Sequence, residues 1–310
     1  MRVPIVVLAV AASVILGGCG RKTTRGISLD RVSRPLIPPD TKVLAGADVT
    51  KLEASELYRR ENGRFPVPIF DEMSRQIGVD PRRDITETIV AWDGKHYLLL
   101  LRGKFSPAEL ERKLSQAGLH STHYGKYRLL GDSSDSVAFL TTDLAVAGPV
   151  EMLKPAIDRF GSGNTSIPDE LQERLKLVPS GDQIWLASRG GLPFAEAAMP
   201  SSDIGSLLSN IVGYVSATSL GIAVDSGLHV RGQILCVSNE GAKRVHDALR
   251  GAIGFGRLST KSNEMDLLKI YDAIHVEQAE QTVNVSADLP GSLADELLNR
   301  FSTPGQRSTR

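Results

Sequence analysis

Net charge, aromatic density and cysteine are what this sequence has little of. Its 36 basic side chains are balanced by 36 acidic ones, which removes the positive field that a nucleic-acid binder uses to attract phosphate. No basic stripe interleaved with aromatics occurs either, so nucleic acid is not an expected partner. Apolar runs of the ~20 residues needed to span a bilayer are missing beyond the extreme N-terminus, and this excludes a multi-span channel or transporter. Phosphate loops are absent too: Gly161-Ser-Gly163-Asn and Gly254-Phe-Gly256 lack the following Lys-Ser/Thr and a third glycine. There is no His-Glu-x-x-His. The one close histidine pair, His120 and His123, has an odd separation that turns the rings to opposite faces of an extended segment. Neither a cofactor nor a metal is expected.

What is present begins with an address. Met1 and Arg2 form a short positive region, Val3 to Leu16 an apolar one, and Leu16-Gly17-Gly18-Cys19 follows. This reads as a cleaved export signal over residues 1–18. The last four residues resemble the lipobox of bacterial membrane lipoproteins. That resemblance implies that Cys19 takes a diacylglyceryl thioether and palmitate-type acyl chains and becomes the first residue after cleavage. Two or more chains anchor stably where one does not, so the remainder is expected at the bacterial cell envelope, facing the periplasm or the exterior. Gly20, where an Asp would retain an enterobacterial lipoprotein at the inner membrane, favours the outer membrane. With Cys19 consumed, Cys236 has no intramolecular partner for a disulfide. It shares a strand face with Leu228 and Ile234 and is expected as a buried small hydrophobe.

The chain then divides. Residues 19–39 read as a flexible tether carrying the lipidated cysteine, 40–160 as a first α+β unit, 161–181 as a connector, 182–301 as a second unit and 302–310 as a disordered tail. Landmarks recur about 140 residues apart. Asp40-Thr-Lys-Val-Leu-Ala45 returns as Asp182-Gln-Ile-Trp-Leu-Ala187, and Gly94-Lys-His96 as Gly227-Leu-His229. The later helix-capping Ser106 and Ser238 also match, as do Pro149–Phe160 and Pro290–Phe301. A tandem duplication accounts for these. The fold class is therefore α+β, two duplicated units, each an antiparallel sheet with helices packed on one face.

Local signals fill in the elements. Thr50-Lys-Leu-Glu53 has capping-box spacing for a helix over 51–61, and Pro66 and Pro68 open another with Phe70, Met73 and Ile77 on one face. Strands are read over 86–92, 96–102, 124–130, 136–140, 145–147, 183–188, 214–224 and 228–237. Ser106-Pro-Ala-Glu109 starts a further helix, and others follow over 150–160, 170–177, 240–253 and 292–301, with short ones between Phe194 and Ser209. On the strand 228–237, Leu228, Val230, Ile234 and Cys236 point one way and His229, Arg231 and Gln233 the other, so one side is core and one is wet. Trp92 and Trp185 anchor cores.

Chemistry is harder to find. Gly131-Asp132-Ser133 with Asp272-Ala-Ile-His275 resembles the first and last blocks of GDS-type esterases, which implies Ser133 as nucleophile and Asp272–His275 as its activating pair. The Gly-x-Asn-Asp block of that family is missing, the two motifs fall in different units, and a polar turn explains Ser133 as well. His96 and His229 hold matched positions that suit either a shared ligand contact or inherited sheet histidines. Ile37 to Asp48, Gly78-Val-Asp-Pro-Arg-Arg-Asp84 and Arg102-Gly-Lys-Phe-Ser106 resemble segments of uncharacterised bacterial envelope proteins with tandem α+β units, a resemblance that implies no activity. The expected function is a lipid-anchored envelope binding or scaffolding protein with no catalytic residue, serving a protein, lipid or glycan partner. The alternatives are a membrane-tethered esterase-type hydrolase and an apolar-ligand carrier.

Overall fold

The computed structural model describes residues 26–60, 81–116, 118–132, 134–164, 167–190 and 211–302. Cys19, Ser133 and the helices expected over 66–77 and 194–209 lie outside them. The first unit supplies β1 (Val43–Asp48), β2 (Ile85–Trp92), β3 (Tyr97–Gly103), β4 (His120–Tyr124), β5 (Tyr127–Gly131), β6 (Asp135–Phe139) and β7 (Leu144–Pro149). The second supplies β8 (Ile184–Arg189), β9 (Val215–Val224), β10 (Leu228–Cys236), β11 (Ile274–Ala279) and β12 (Thr282–Leu289). The helices are α1 (Val49–Ala54), α2 (Glu56–Arg60), α3 (Pro81–Asp84), α4 (Pro107–Gln116), α5 (Val150–Ser162), α6 (Asp169–Lys176), α7 (Asn239–Ser259), α8 (Met265–Asp272) and α9 (Gly291–Ser302).

All twelve strands join one antiparallel sheet in the order β11-β12-β10-β9-β8-β1-β2-β3-β7-β6-β5-β4. The protein is α+β, and its two units are halves of a single sheet that meet where β1 pairs with β8. At that seam a large residue sits over a small one. Gly46 lies opposite Trp185, and a Cβ on Gly46 would fall 2.3 Å from the Trp185 ring. Trp185 is buried there among Leu44, Ile89 and Ala187, as its anchoring role requires; Trp92, at the end of β2, is half-buried.

The side of the sheet bearing Trp185 is called the front. On the first half it is covered by Leu153, Ala156 and Ile157 of α5 and by Leu171 and Leu175 of α6. The second half is covered on the back. Ala242 and Val245 of α7 pack on Ile234, Cys236 and Val283, while Ile270 of α8 and Leu293 of α9 join Leu52 and Leu57 over Val224, Leu228 and Leu289. The one-sided cover expected for each unit holds for β10, β12 and β11 of the second, but not for β8 and β9, over which α6 reaches on the front, and not for the first unit. Leu129 and Leu130 of β5 are both buried, so both faces of that strand are covered at these residues. Arg128, which alternates with front-facing Leu129, reaches Glu111 of α4 at 3.3 Å and places α4 on the back.

Several boundaries move for local reasons. Residues 26–39 are no tether: Leu29, Leu36 and Ile37 are buried in the main core, and the Arg159 guanidinium donates to the carbonyls of Pro35 and Leu36 at 3.0 and 3.2 Å. The connector 161–181 joins the same core through Ile167, Leu171, Leu175 and Val178. Asp48, not Thr50, caps the first helix by accepting from the Lys51 amide at 2.9 Å, and the helix breaks at Ser55 into α1 and α2. The strand expected over 124–130 is a hairpin, because Gly125 takes φ +58° and reverses the chain between β4 and β5. Helix α8, which the sequence reading lacked, interrupts the path from α7 to β11.

Candidate functional site

The back-side helices of the second half leave its front largely open. Helix α6 reaches over β8 and β9, but β10, β12 and β11 carry no described helix on that side. Register arranges the front side chains in cross-strand rows. His229 stands beside Asp288; next come Gly221, Arg231, Ser286 and His275, and then Ser219, Gln233, Asn284 and Glu277. The alternation expected on β10 is the alternation observed, with Leu228, Ile234 and Cys236 in core and His229, Arg231 and Gln233 on the open face. Cys236 is a free, buried thiol whose pKa burial pushes up.

The polar groups of this face hold one another in place. Arg231 donates from Nη2 to Asp182 Oδ1 at 3.0 Å. Asp182 is 2% exposed, and its Oδ2 has no partner among the described residues. It reaches Arg231 because Gly221 has no side chain: a Cβ there would lie 2.1 Å from Oδ2. Burial pushes the Asp182 carboxyl up, and the Arg231 charge opposes that. His229 sits between two carboxylates, with Nδ1 2.7 Å from Asp288 and Nε2 3.2 Å from Asp225. The hydrogen bond with Asp288, with further help from Asp225, raises its pKa. Gln233 Nε2 donates to Asn284 Oδ1 at 3.3 Å. Such a face offers preorganised donors and acceptors for recognition. Beside it, under α6, lies an open cleft of about 850 Å³ with Gly190, Ala217 and Leu235 as floor and Lys42, Glu170, Glu173, Arg174 and Arg189 among its lining. Its charged rim and openness are unlike the enclosed apolar cavity that a lipid carrier needs.

The described residues that flank the two esterase-like motifs lie far apart. Ser133 lies outside the described residues, but its neighbours Asp132 and Ser134 fix the β5–β6 turn, where Asp132 accepts from the Ser134 hydroxyl and amide at 2.6 and 2.7 Å. These bonds hold the Asp132 carboxyl down at about 2. His275 is on β11, with eight strands between it and β6, roughly 40 Å along the sheet at ~4.8 Å per strand. Asp272 binds Arg257 at 2.7 Å. His96, on the β2–β3 hairpin, contacts Asp93 at 3.4 Å and Glu151 of α5 at 2.9 Å. Each matched histidine therefore contacts carboxylates around its own hairpin, and the two share no site. His120 and His123 lie exposed on edge strand β4, and no group of three metal-ligating side chains occurs among the described residues. Asp182 and Gly221 escaped the sequence reading as a pair, since only the β8–β9 register brings them together.

The fold and this face define an α+β protein built on one wide antiparallel sheet whose second half has a polar front. No protein-family model and no curated protein matches the chain. Among solved structures it is similar to TP0453. Crystal form I of that protein aligns at TM-score 0.51 with 12% identity, over 89% of this chain and 97% of that one. Forms III and IV align at 0.53, with 12% and 11% identity, over 98% of that chain. The likeness is one of fold.

Proposed function

We propose that this chain is a lipid-anchored binding or scaffolding protein of the bacterial envelope, held through Cys19, with the outer membrane favoured, and working by presentation of its open sheet face. The observation that carries the reading is the front of β10, β12 and β11, where Arg231, His229 and Gln233 are fixed by internal partners and no described helix covers them. The lipobox supports the anchor. A protein, lipid or glycan of the envelope is the partner class.

We also read the halves as duplicated units. Outward from the seam the strand orders correspond, β1-β2-β3-β7-β6 against β8-β9-β10-β12-β11, and Pro149 and Pro290 stand just before α5 and α9. The closing helices nevertheless cover opposite faces, so the units have diverged in cover while keeping strand order. The test is intact mass of membrane-purified protein together with in-cell cross-linking of wild type and an exported Cys19→Ala form. Acylation at Cys19 and a partner recovered only from the anchored form are expected. An unmodified Cys19 overturns the anchor, and identical cross-links from both forms overturn a role set by location.

A further inference from the structure

Strand β11 ends the sheet, and its outer edge has no strand partner among the described residues. The two-residue turn at Glu280–Gln281 makes Ala279 and Thr282 a hydrogen-bonded pair. Alternation then turns the backbone N–H and C=O of Ile274, Val276 and Gln278 outward. Natural edges are blunted with lysine, proline or bulges; this one has none of them. The other edge, β4, also ends the order; β11 has a groove of about 440 Å³ beside it, between the strand and helices α7 and α8.

Two features of that groove lack an internal explanation. Glycine in a helix interior is destabilising relative to alanine, yet apart from the helix's own backbone nothing lies within 4 Å of where a Cβ on Gly254 would stand, as is also true of Gly251 one turn earlier. Gly256, two residues on, is explained by contact with the Tyr271 ring at 2.7 Å. Likewise Arg257 is held by Asp272 at 2.7 and 3.4 Å, whereas Arg250, which also lines the groove, has no ion pair among the described residues. His275 and Glu277 also line the groove, although alternation places them in the rows of the opposite face of β11, Glu277 with Asn284 and Gln233.

We propose that this groove binds an extended, acidic segment of a partner protein, which adds to β11 as a further strand. Its backbone takes the outward groups of Ile274, Val276 and Gln278. Alternate apolar side chains lie over Gly254 beside Val276, and a carboxylate meets Arg250. This is strand addition beside a helix, in which main-chain bonds give affinity and pockets for alternate side chains give specificity. It deepens the envelope-binding reading by naming a partner chemistry and a place, and it rests on that reading only for where the partner is met.

The probe is a set of synthetic decapeptides alternating valine or threonine with varied polar positions, half carrying one aspartate and half a lysine in its place. Binding to the full mature chain with Cys19→Ala is read by fluorescence anisotropy and by amide shifts. Acidic peptides should bind at least tenfold tighter, with shifts centred on 274–279 and on α7. Arg250→Glu should invert the preference, and Gly254→Leu, which improves helix propensity and fills the groove floor, should weaken binding at least tenfold. Equal binding of both sets, shifts centred on the front of β9 and β10, or self-association through β11 would each overturn the proposal. The anchor is judged separately by the mass at Cys19, so either reading can fail alone.

Discussion

Replacing Gly46 by alanine tests the seam that makes one sheet of two halves. The new methyl would stand 2.3 and 2.6 Å from two atoms of the Trp185 ring and 3.0 Å from the Thr88 carbonyl. The ring must retreat by about 1 Å or more to restore van der Waals separation, but it is 4% exposed and enclosed by the core. Overpacking of this kind costs about 1–3 kcal/mol. For a chain of this size that is roughly 2–12 °C in melting temperature, at about 2–4 °C per kcal/mol. Urea titrations followed by tryptophan fluorescence and by far-UV circular dichroism provide the measurement. The decisive comparison is a double-mutant cycle with Trp185→Leu, since a smaller side chain makes room for the methyl. Gly46→Ala should cost at least ~1 kcal/mol less in the Leu background. An equal cost in both backgrounds would refute the argument that the tryptophan ring dictates glycine at position 46.

Other consequences concern single groups. Arg231→Ala leaves the carboxylate of Asp182 buried without its partner and should destabilise by about 3 kcal/mol near neutral pH; the loss should shrink in Asp182→Asn, and equal losses in both backgrounds would show that the pair is not coupled. His229 has its folded-state pKa raised by Asp288 and Asp225, so its stabilisation is full below the ordinary histidine value of about 6.5 and is lost as pH rises through the folded value. Urea midpoints of wild type and His229→Gln should diverge at pH 5–6 and converge at about pH 9, by the same principle; parallel profiles would refute it. Cys236, 2% exposed, should resist a thiol reagent in native protein and react after unfolding, and Cys236→Ser should cost about 1–3 kcal/mol for burying a hydroxyl without a partner.

Much of the local structure was legible because it is written in neighbouring residues. The pattern of β10 told core from wet side, and Ser238 was placed to cap α7 and accepts from the Gly241 amide at 3.0 Å. What failed was long-range. Leu29, Leu36 and Ile37 look like isolated apolar residues in a tether, and become core only when α5 and α6 lie over them. Ser133 with Asp272 and His275 made an enzyme-like set in the sequence, and the strand order places His275 and Asp132, the neighbour of Ser133, near opposite ends of the sheet.

The sequence by itself determined the α+β class, the alternation of β10 and the burial of Cys236, because each depends on side chains close along the chain. Tertiary structure alone decided that both units share one sheet, which face each helix covers, and which polar groups meet. Strand pairing and helix cover are set by contacts between distant segments, and alternation, which tells the two faces of one strand apart, does not say which strand lies next to it.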